Sequence, residues 1–106
     1  MNKLQFGIVM LLLAAVPALG GAQAADPSEG REVAERWCSS CHAIGPGSAS
    51  DEQAPAFESI VVEDGRSDEW ISTWLSTPHE VMPDLALTRN EISALVAYFG
   101  SFRSAE

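Results

Sequence analysis

The only cysteines in this 106-residue chain, Cys38 and Cys41, stand three positions apart, and His42 follows directly. A disulfide between them would close a tiny loop and remove little entropy from the unfolded chain. They cannot cross-link distant parts of a fold. Yet the domain is small enough to need a staple. The opening MNKLQFGIVMLLLAAVPALGGAQA has one early charge, Lys3, and an apolar run from Phe6 to Ala15. Pro17, Gly20, Gly21 and the small-x-small triplet Ala22-Gln23-Ala24 come next. This is the layout of a secretory signal peptide covering residues 1–24, with cleavage expected after Ala24. Its apolar run is shorter than the roughly 20 residues of a transmembrane helix. Removing 24 of 106 residues leaves a domain of 82, spanning 25–106. Domains of that size commonly rely on disulfides, a metal or a cofactor. The staple is expected at the cysteines, and it is expected to be a cofactor.

Charge narrows the class further. Lys3 belongs to the leader, so residues 25–106 hold five Arg, no Lys and fifteen acids, and the formal charge passes from −9 to −10. Such a balance excludes a basic nucleic-acid footprint and polybasic docking on an anionic membrane. The apolar content is too high for a disordered acidic chain, and the length excludes a multidomain enzyme. One small, acidic, exported domain remains, with no stable membrane insertion once the leader is gone.

Helical periodicity dominates that domain, and no convincing alternating strand appears. Four helical segments are expected. The first starts at Asp26-Pro27-Ser28-Glu29, with Asp26 as cap, Pro27 at the first helical position and Glu29 completing a capping box. Its stripe of Val33, Ala34 and Trp37 runs up to Cys38. A short second segment starts at Pro55, turns Phe57, Ile60 and Val61 inward, and ends at the Asp64-Gly65 turn. The third is capped by Ser67, carries Asp68 and Glu69 at its positive end, buries Trp70, Ile71, Trp74 and Leu75, and stops at Pro78. Thr88-Arg89-Asn90-Glu91 forms a capping box for the fourth, whose Ile92, Leu95, Val96 and Phe99 share a face. Residues 45–51 and 77–87 read as loops, the second holding His79, Met82 and Pro83.

The string Cys38-Ser39-Ser40-Cys41-His42 carries the chemistry. Cys-x-x-Cys-His is the attachment pattern of c-type haem. Two thiols three positions apart lie on one side of a helical turn, where they can add to two vinyl groups along one porphyrin edge. The adjacent His42 then presents its imidazole to the iron. For the sixth ligand, residues 25–106 contain one Met, Met82, and one other His, His79. A thioether suits low-spin iron and raises its potential, and Met82 stands before Pro83 in a polar loop that gives it little other purpose. Met82 is the expected ligand. His79 is the alternative, with a lower potential, and its simpler reading is an exposed loop histidine. An open sixth site would admit small ligands.

With these residues the chain resembles a small bacterial class I, monohaem cytochrome c. Gly30 stands eight residues before Cys38, like the glycine of that family's N-terminal helix. The likeness runs through the haem motif, through Ala54-Pro55-Ala56-Phe57, and through Met82-Pro83 followed by Leu87-Thr88, Glu91-Ile92 and Ala97-Tyr98. It covers nearly all of residues 27–103. The resemblance implies an all-α class I cytochrome c fold, with about four short helices around one covalent haem c. It implies a proline carbonyl that accepts from the axial histidine's outer nitrogen and orients the ring. Pro55 is the choice for that role and Pro46 the alternative. It also implies a close crossing of the first and last helices, with Gly30 against Tyr98 or Phe99. Trp70 and Trp74 read mainly as core, with the Trp74 indole as the candidate partner of a haem propionate. Arg66 reads as a solvated arginine that could also meet a propionate. Trp37 is expected against the last helix.

The implied function is a periplasmic one-electron carrier between redox partners, without catalytic residues of its own. A dedicated haem subunit of a periplasmic dehydrogenase or oxidase is the alternative, as is a gas sensor if Met82 is easily displaced. Mitochondrial family members dock acidic partners through lysines around the haem edge, and residues 25–106 have none. Partners with basic or weakly charged docking surfaces are expected instead. Two readings outside the family are weaker. Trp37-Cys38-Ser39-Ser40-Cys41 superficially matches a thioredoxin-like redox site, but there the attacking cysteine opens a helix after a strand, whereas Cys38 ends one. Cys38, Cys41, His42 and His79 could be a zinc set, but adjacent Cys41 and His42 suit a tetrahedral centre poorly.

Overall fold

The computed structural model describes residues 25–46, 54–77 and 79–105. The expected leader, 1–24, and its cleavage after Ala24 lie outside the described residues. The described residues form three α-helices, α1 Pro27–Trp37, α2 Asp68–Ser76 and α3 Arg89–Ser104, with a π-helical turn Ser59–Glu63 between α1 and α2. The only extended pairing among them is a single antiparallel bridge between His79 and Met82. The fold is all-α, as expected. The second segment is the one that differs in kind. Phe57 and Glu58 begin it as α-helix, but it widens into a π turn whose closing amide, Asp64 N, donates to Ser59 O at 2.9 Å. Its β-branched run Ile60-Val61-Val62 crowds a regular helix, and the wider turn still buries Val61.

The helix starts are side-chain caps. Asp26 Oδ1 accepts from Ser28 N at 2.9 Å, with Pro27 at the first turn of α1. Ser67 Oγ accepts from Trp70 N at 3.0 Å. At α3 the box is reciprocal: Glu91 N donates to Thr88 Oγ1 at 3.1 Å and Thr88 N donates to Glu91 Oε1 at 2.9 Å. The backbone bond at Thr88 is the main reason the Glu91 carboxyl is held below its ordinary range. Each cap satisfies an amide the helix itself leaves open. The box expected at Glu91 is present, whereas at α1 the cap is the Asp26 bond without the reciprocal bond expected of Glu29.

The core lies mainly between α1 and α3. Val33 and Ala34 of α1 meet Leu95, Tyr98 and Phe99 of α3, and Phe57, Val61 and Ile71 close the remaining sides. The crossing is set at Gly30, which faces Ala94 and Tyr98 rather than Phe99. A Cβ added there would stand 2.0 Å from Ala94 O and 2.7 Å from Tyr98 Cβ. Tyr98 adds a long-range tie, donating its buried hydroxyl to Ile44 O at 2.5 Å. Burial raises the Tyr98 phenol above its ordinary value, which keeps it a donor. At the far end Arg103 of α3 pairs with Asp68 and donates to Arg66 O, fastening the start of α2 to the end of α3. Trp37, expected against the last helix, is 49% exposed.

Gly30→Ala should therefore lower the stability of the folded protein by about 2 kcal/mol or more, because the methyl group overpacks against backbone that cannot swing aside. The gain in helix propensity, about 1 kcal/mol, works in the opposite direction. Denaturant unfolding with an unchanged slope measures the difference. A variant as stable as the parent would show that the helices do not cross this closely.

Candidate haem site

Between α1, the π turn, α2 and α3 lies a cavity of about 370 Å³. That is within the usual range for a bound small molecule or cofactor, about 300–1,000 Å³. Its wall is chiefly apolar and includes Phe57, Ile60, Ile71, Leu75, Leu95 and Phe99. Of the residues singled out from the sequence, it brings together Cys38, His42, Pro55, Trp74 and Met82. Cys41 is not on this wall and is exposed.

The Cys-x-x-Cys-His string is held as a continuation of α1. Cys38 N and Ser39 N both donate to Ala34 O, at 2.8 and 2.9 Å. Cys41 N and His42 N then donate to Cys38 O, at 3.1 and 2.9 Å. This turn sets Cys38 inward, 5% exposed, and leaves Cys41 outward. Burial pushes the Cys38 thiol up to about 11. A reactive redox cysteine needs the opposite shift, since only the thiolate attacks. The thioredoxin-like reading therefore has no support at Cys38.

His42 is oriented by a neighbour on the same wall. Its Nδ1 donates to Pro55 O at 2.6 Å, across thirteen residues. A carbonyl oxygen only accepts, so Nδ1 carries the proton and Nε2 keeps its lone pair. This pattern is typical of a metal-ligating histidine, in which a backbone carbonyl fixes the tautomer and makes the ring a better donor. Phe57 N donates to Ala43 O at 2.9 Å and pins the same stretch by its backbone. The Phe57 ring lies 5.4 Å from the His42 ring and stacks on Phe99 at 4.2 Å. The sequence placed Phe57 inward but not against His42, although the His42 to Pro55 bond expected from the resemblance already returns the chain to that point.

The opposite wall is a column of side chains. The Arg66 guanidinium lies 4.4 Å over the Trp70 ring, Trp70 stacks on Trp74 at 5.1 Å, and Trp74 meets His79 at 3.8 Å. Arg66, Trp70 and Trp74 all line the cavity. Trp74 is 37% exposed rather than core, because its ring serves this wall. His79 is not the exposed loop residue its position suggested. It is half-buried, its Nδ1 donates to Thr77 O at 2.7 Å, and its buried Nε2 has no hydrogen-bond partner among the described residues.

This donor set suits an iron porphyrin: a preset imidazole and a thioether on one apolar cavity, with a thiol at its edge. Such a site on an all-α fold defines a c-type cytochrome. The comparisons agree. The model of the family described as "Cytochrome C oxidase, cbb3-type, subunit III" matches residues 25–99. The curated protein "Cytochrome c-552" of Bradyrhizobium diazoefficiens is 36% identical over 96 residues, covering 90% of this chain and 92% of its own length. No solved structure matches the chain. The chain belongs to the small monohaem class I cytochrome c family; its cofactor is covalent haem c, and its role is electron transport.

Phe57→Ala should destabilise the haem-loaded protein by about 3 kcal/mol, the range for truncating a buried aromatic ring. It removes packing from His42 and Phe99 together. Phe57→Leu should recover much of the loss. Denaturant midpoints of the three proteins measure this, and a cost below about 1 kcal/mol would show that Phe57 does not brace the site.

Proposed function

We propose that the chain is an exported one-electron shuttle whose haem is tethered through Cys38 and Cys41 and ligated by His42 and Met82. The observation that carries this reading is the joint placement of His42, with Nδ1 already committed to Pro55 O, and Met82 on the wall of one cavity. Haem held there by His42 and Met82 would supply a ferric/ferrous couple for one-electron transfer. Pro55 O holds the His42 proton at Nδ1 and so keeps Nε2 available. Arg66 offers the cationic partner for a propionate, and Trp74 offers its indole N–H. The apolar rings of Phe57 and Phe99 keep water from that side.

Export to the periplasm belongs to the same proposal and rests on the layout of residues 1–24. Among the described residues no helix is long and apolar enough to cross a membrane. A second reading, a haem subunit of an oxidase, draws on the printed description of the matching family. The free-shuttle reading is favoured by the relative, a cytochrome c-552 of nearly the same length.

Intact mass and optical spectra test the core of the proposal on protein made with a haem c maturation system. The expected product lacks residues 1–24, carries one covalent haem, and shows the ferric methionine–iron charge-transfer band. Cys38→Ala with Cys41→Ala should abolish covalent haem and leave the chain largely unfolded. A well-folded double variant would contradict the staple role of the cofactor.

The acidic surface sets the partner. With a formal charge of −10 on residues 25–106, encounter is fastest with a basic docking surface and slows as salt screens it. The bimolecular oxidation or reduction rate with a basic partner should fall steadily between low and physiological ionic strength. A rate indifferent to salt would overturn the charge-steered reading.

A further inference from the structure

We propose that His79 is a second iron-ligating side chain, stored beside Met82 and able to take the sixth site when the Met82 sulfur leaves it. The inference rests on the proposed Met82 ligation and deepens it.

Four observations carry it. His79 Nε2 is buried and unpartnered among the described residues. A buried polar atom in that condition forfeits a hydrogen bond and calls for a reason. Its Nδ1 donates to the Thr77 carbonyl at 2.7 Å. The acceptor again fixes the proton on Nδ1 and leaves a lone pair on Nε2. This is the arrangement His42 has with Pro55 O, so both histidines are prepared in the same way. Third, His79 and Met82 face each other in an antiparallel bridge. Directly opposed residues put their side chains on one face, with Cβ atoms roughly 4.5–5.5 Å apart. Fourth, His79 lies 3.8 Å behind Trp74, whose own ring lines the cavity. One aromatic layer separates the stored imidazole from the site.

The exchange balances simply. The iron–sulfur bond breaks and an iron–nitrogen bond forms. The Nδ1–H to Thr77 O bond selects the neutral tautomer with its lone pair on Nε2, and from that tautomer the exchange moves no proton and transfers no electron. The turn between the two residues, Glu80 and Val81, is exposed, so it can rotate without disturbing the core. Imidazole suits iron well, while a thioether favours the ferrous state and raises the potential. The ferric protein is therefore the state in which His79 competes best. Packing on Trp74 alone would explain the ring's position but not the bare nitrogen.

The test uses haem-loaded protein and four chains: parent, Met82→Ala, Met82→Ala with His79→Phe, and His79→Phe alone. Phenylalanine keeps a ring on Trp74 and removes only the nitrogen. The ferric Met82→Ala protein should lose the methionine charge-transfer band yet stay low-spin and six-coordinate. Adding His79→Phe should turn it high-spin. Added imidazole should then bind the double variant at least about tenfold tighter, since an internal ligand that fills the site reduces apparent affinity by the fraction left open. If Met82→Ala fails to fold, Met82→Leu fills the turn and takes its place. A single variant already high-spin, with the same imidazole affinity as the double, would overturn the proposal. A parent protein without the methionine band that turns high-spin on His79→Phe alone would overturn it too, making His79 the resident ligand. Absence of covalent haem in the parent would instead sink the underlying reading of the site.

Discussion

The approach of α1 and α3 at Gly30 is the distance to which the rest of the molecule is referred. A hydrogen in place of a methyl group lets the α1 backbone lie against the Ala94 carbonyl. With the helices that close, Val33 and Ala34 join Leu95, Tyr98 and Phe99 in one buried cluster. Leu95 and Phe99 form part of the cavity wall, and Cys38 enters the same cavity at the end of α1. Cys38 and the apolar wall it faces are therefore positioned by one crossing. Any residue larger than glycine at position 30 would move the Cys-x-x-Cys-His turn relative to the wall it faces.

From that crossing the chain returns on itself through a few directed contacts. Tyr98 O–H to Ile44 O, Phe57 N to Ala43 O, and His42 Nδ1 to Pro55 O all fall within one small region. Each closes a stretch of backbone that no regular element covers, and together they hold His42 from both sides. The Phe57 ring completes the brace by lying between His42 and Phe99. A domain with so little core concentrates its order where the cofactor must be met. Free of the porphyrin, the same residues would have to support an open apolar cavity, which costs stability in a chain this short.

Much of this was legible in the sequence where a local rule governs. The caps at Asp26, Ser67 and Thr88 lie where their side chains meet open amides, and the helical faces follow the apolar spacing. The Cys38-Ser39-Ser40-Cys41-His42 string could be singled out because its pattern is local, and the structure places Cys38 and His42 on the cavity wall. What was not readable depends on contacts across the chain. Nothing local says that Ile60-Val61-Val62 will widen into a π turn, or that Phe57 will touch His42. His79 was the clearest miss: a lone histidine in a polar loop reads as solvated, and only the return of that loop onto Trp74 buries it. Trp37 shares the α1 stripe with Val33 and Ala34 but is half exposed, because the close α1–α3 approach is at Gly30.

Under the proposed ligation, the site sets its potential by opposing effects that can be assigned to residues. Loss of an electron adds positive charge inside a wall made of Phe57, Ile71, Leu95 and Phe99. An apolar shell stabilises that charge poorly and favours the reduced state. A thioether at Met82 acts in the same direction. The proton held on His42 Nδ1 by Pro55 O makes the ring more electron-rich and favours the oxidised state. Arg66 and Asp64 both line the cavity; the cation opposes the oxidised state electrostatically and the carboxylate supports it. The acidic surface outside acts as the carboxylate does, but solvent and salt screen it, while the wall and ligands act at contact. The ligands and their immediate supports therefore dominate the potential, and the screened surface charge contributes little to it. The same chain can serve a different partner through surface substitutions that leave its redox chemistry almost unchanged.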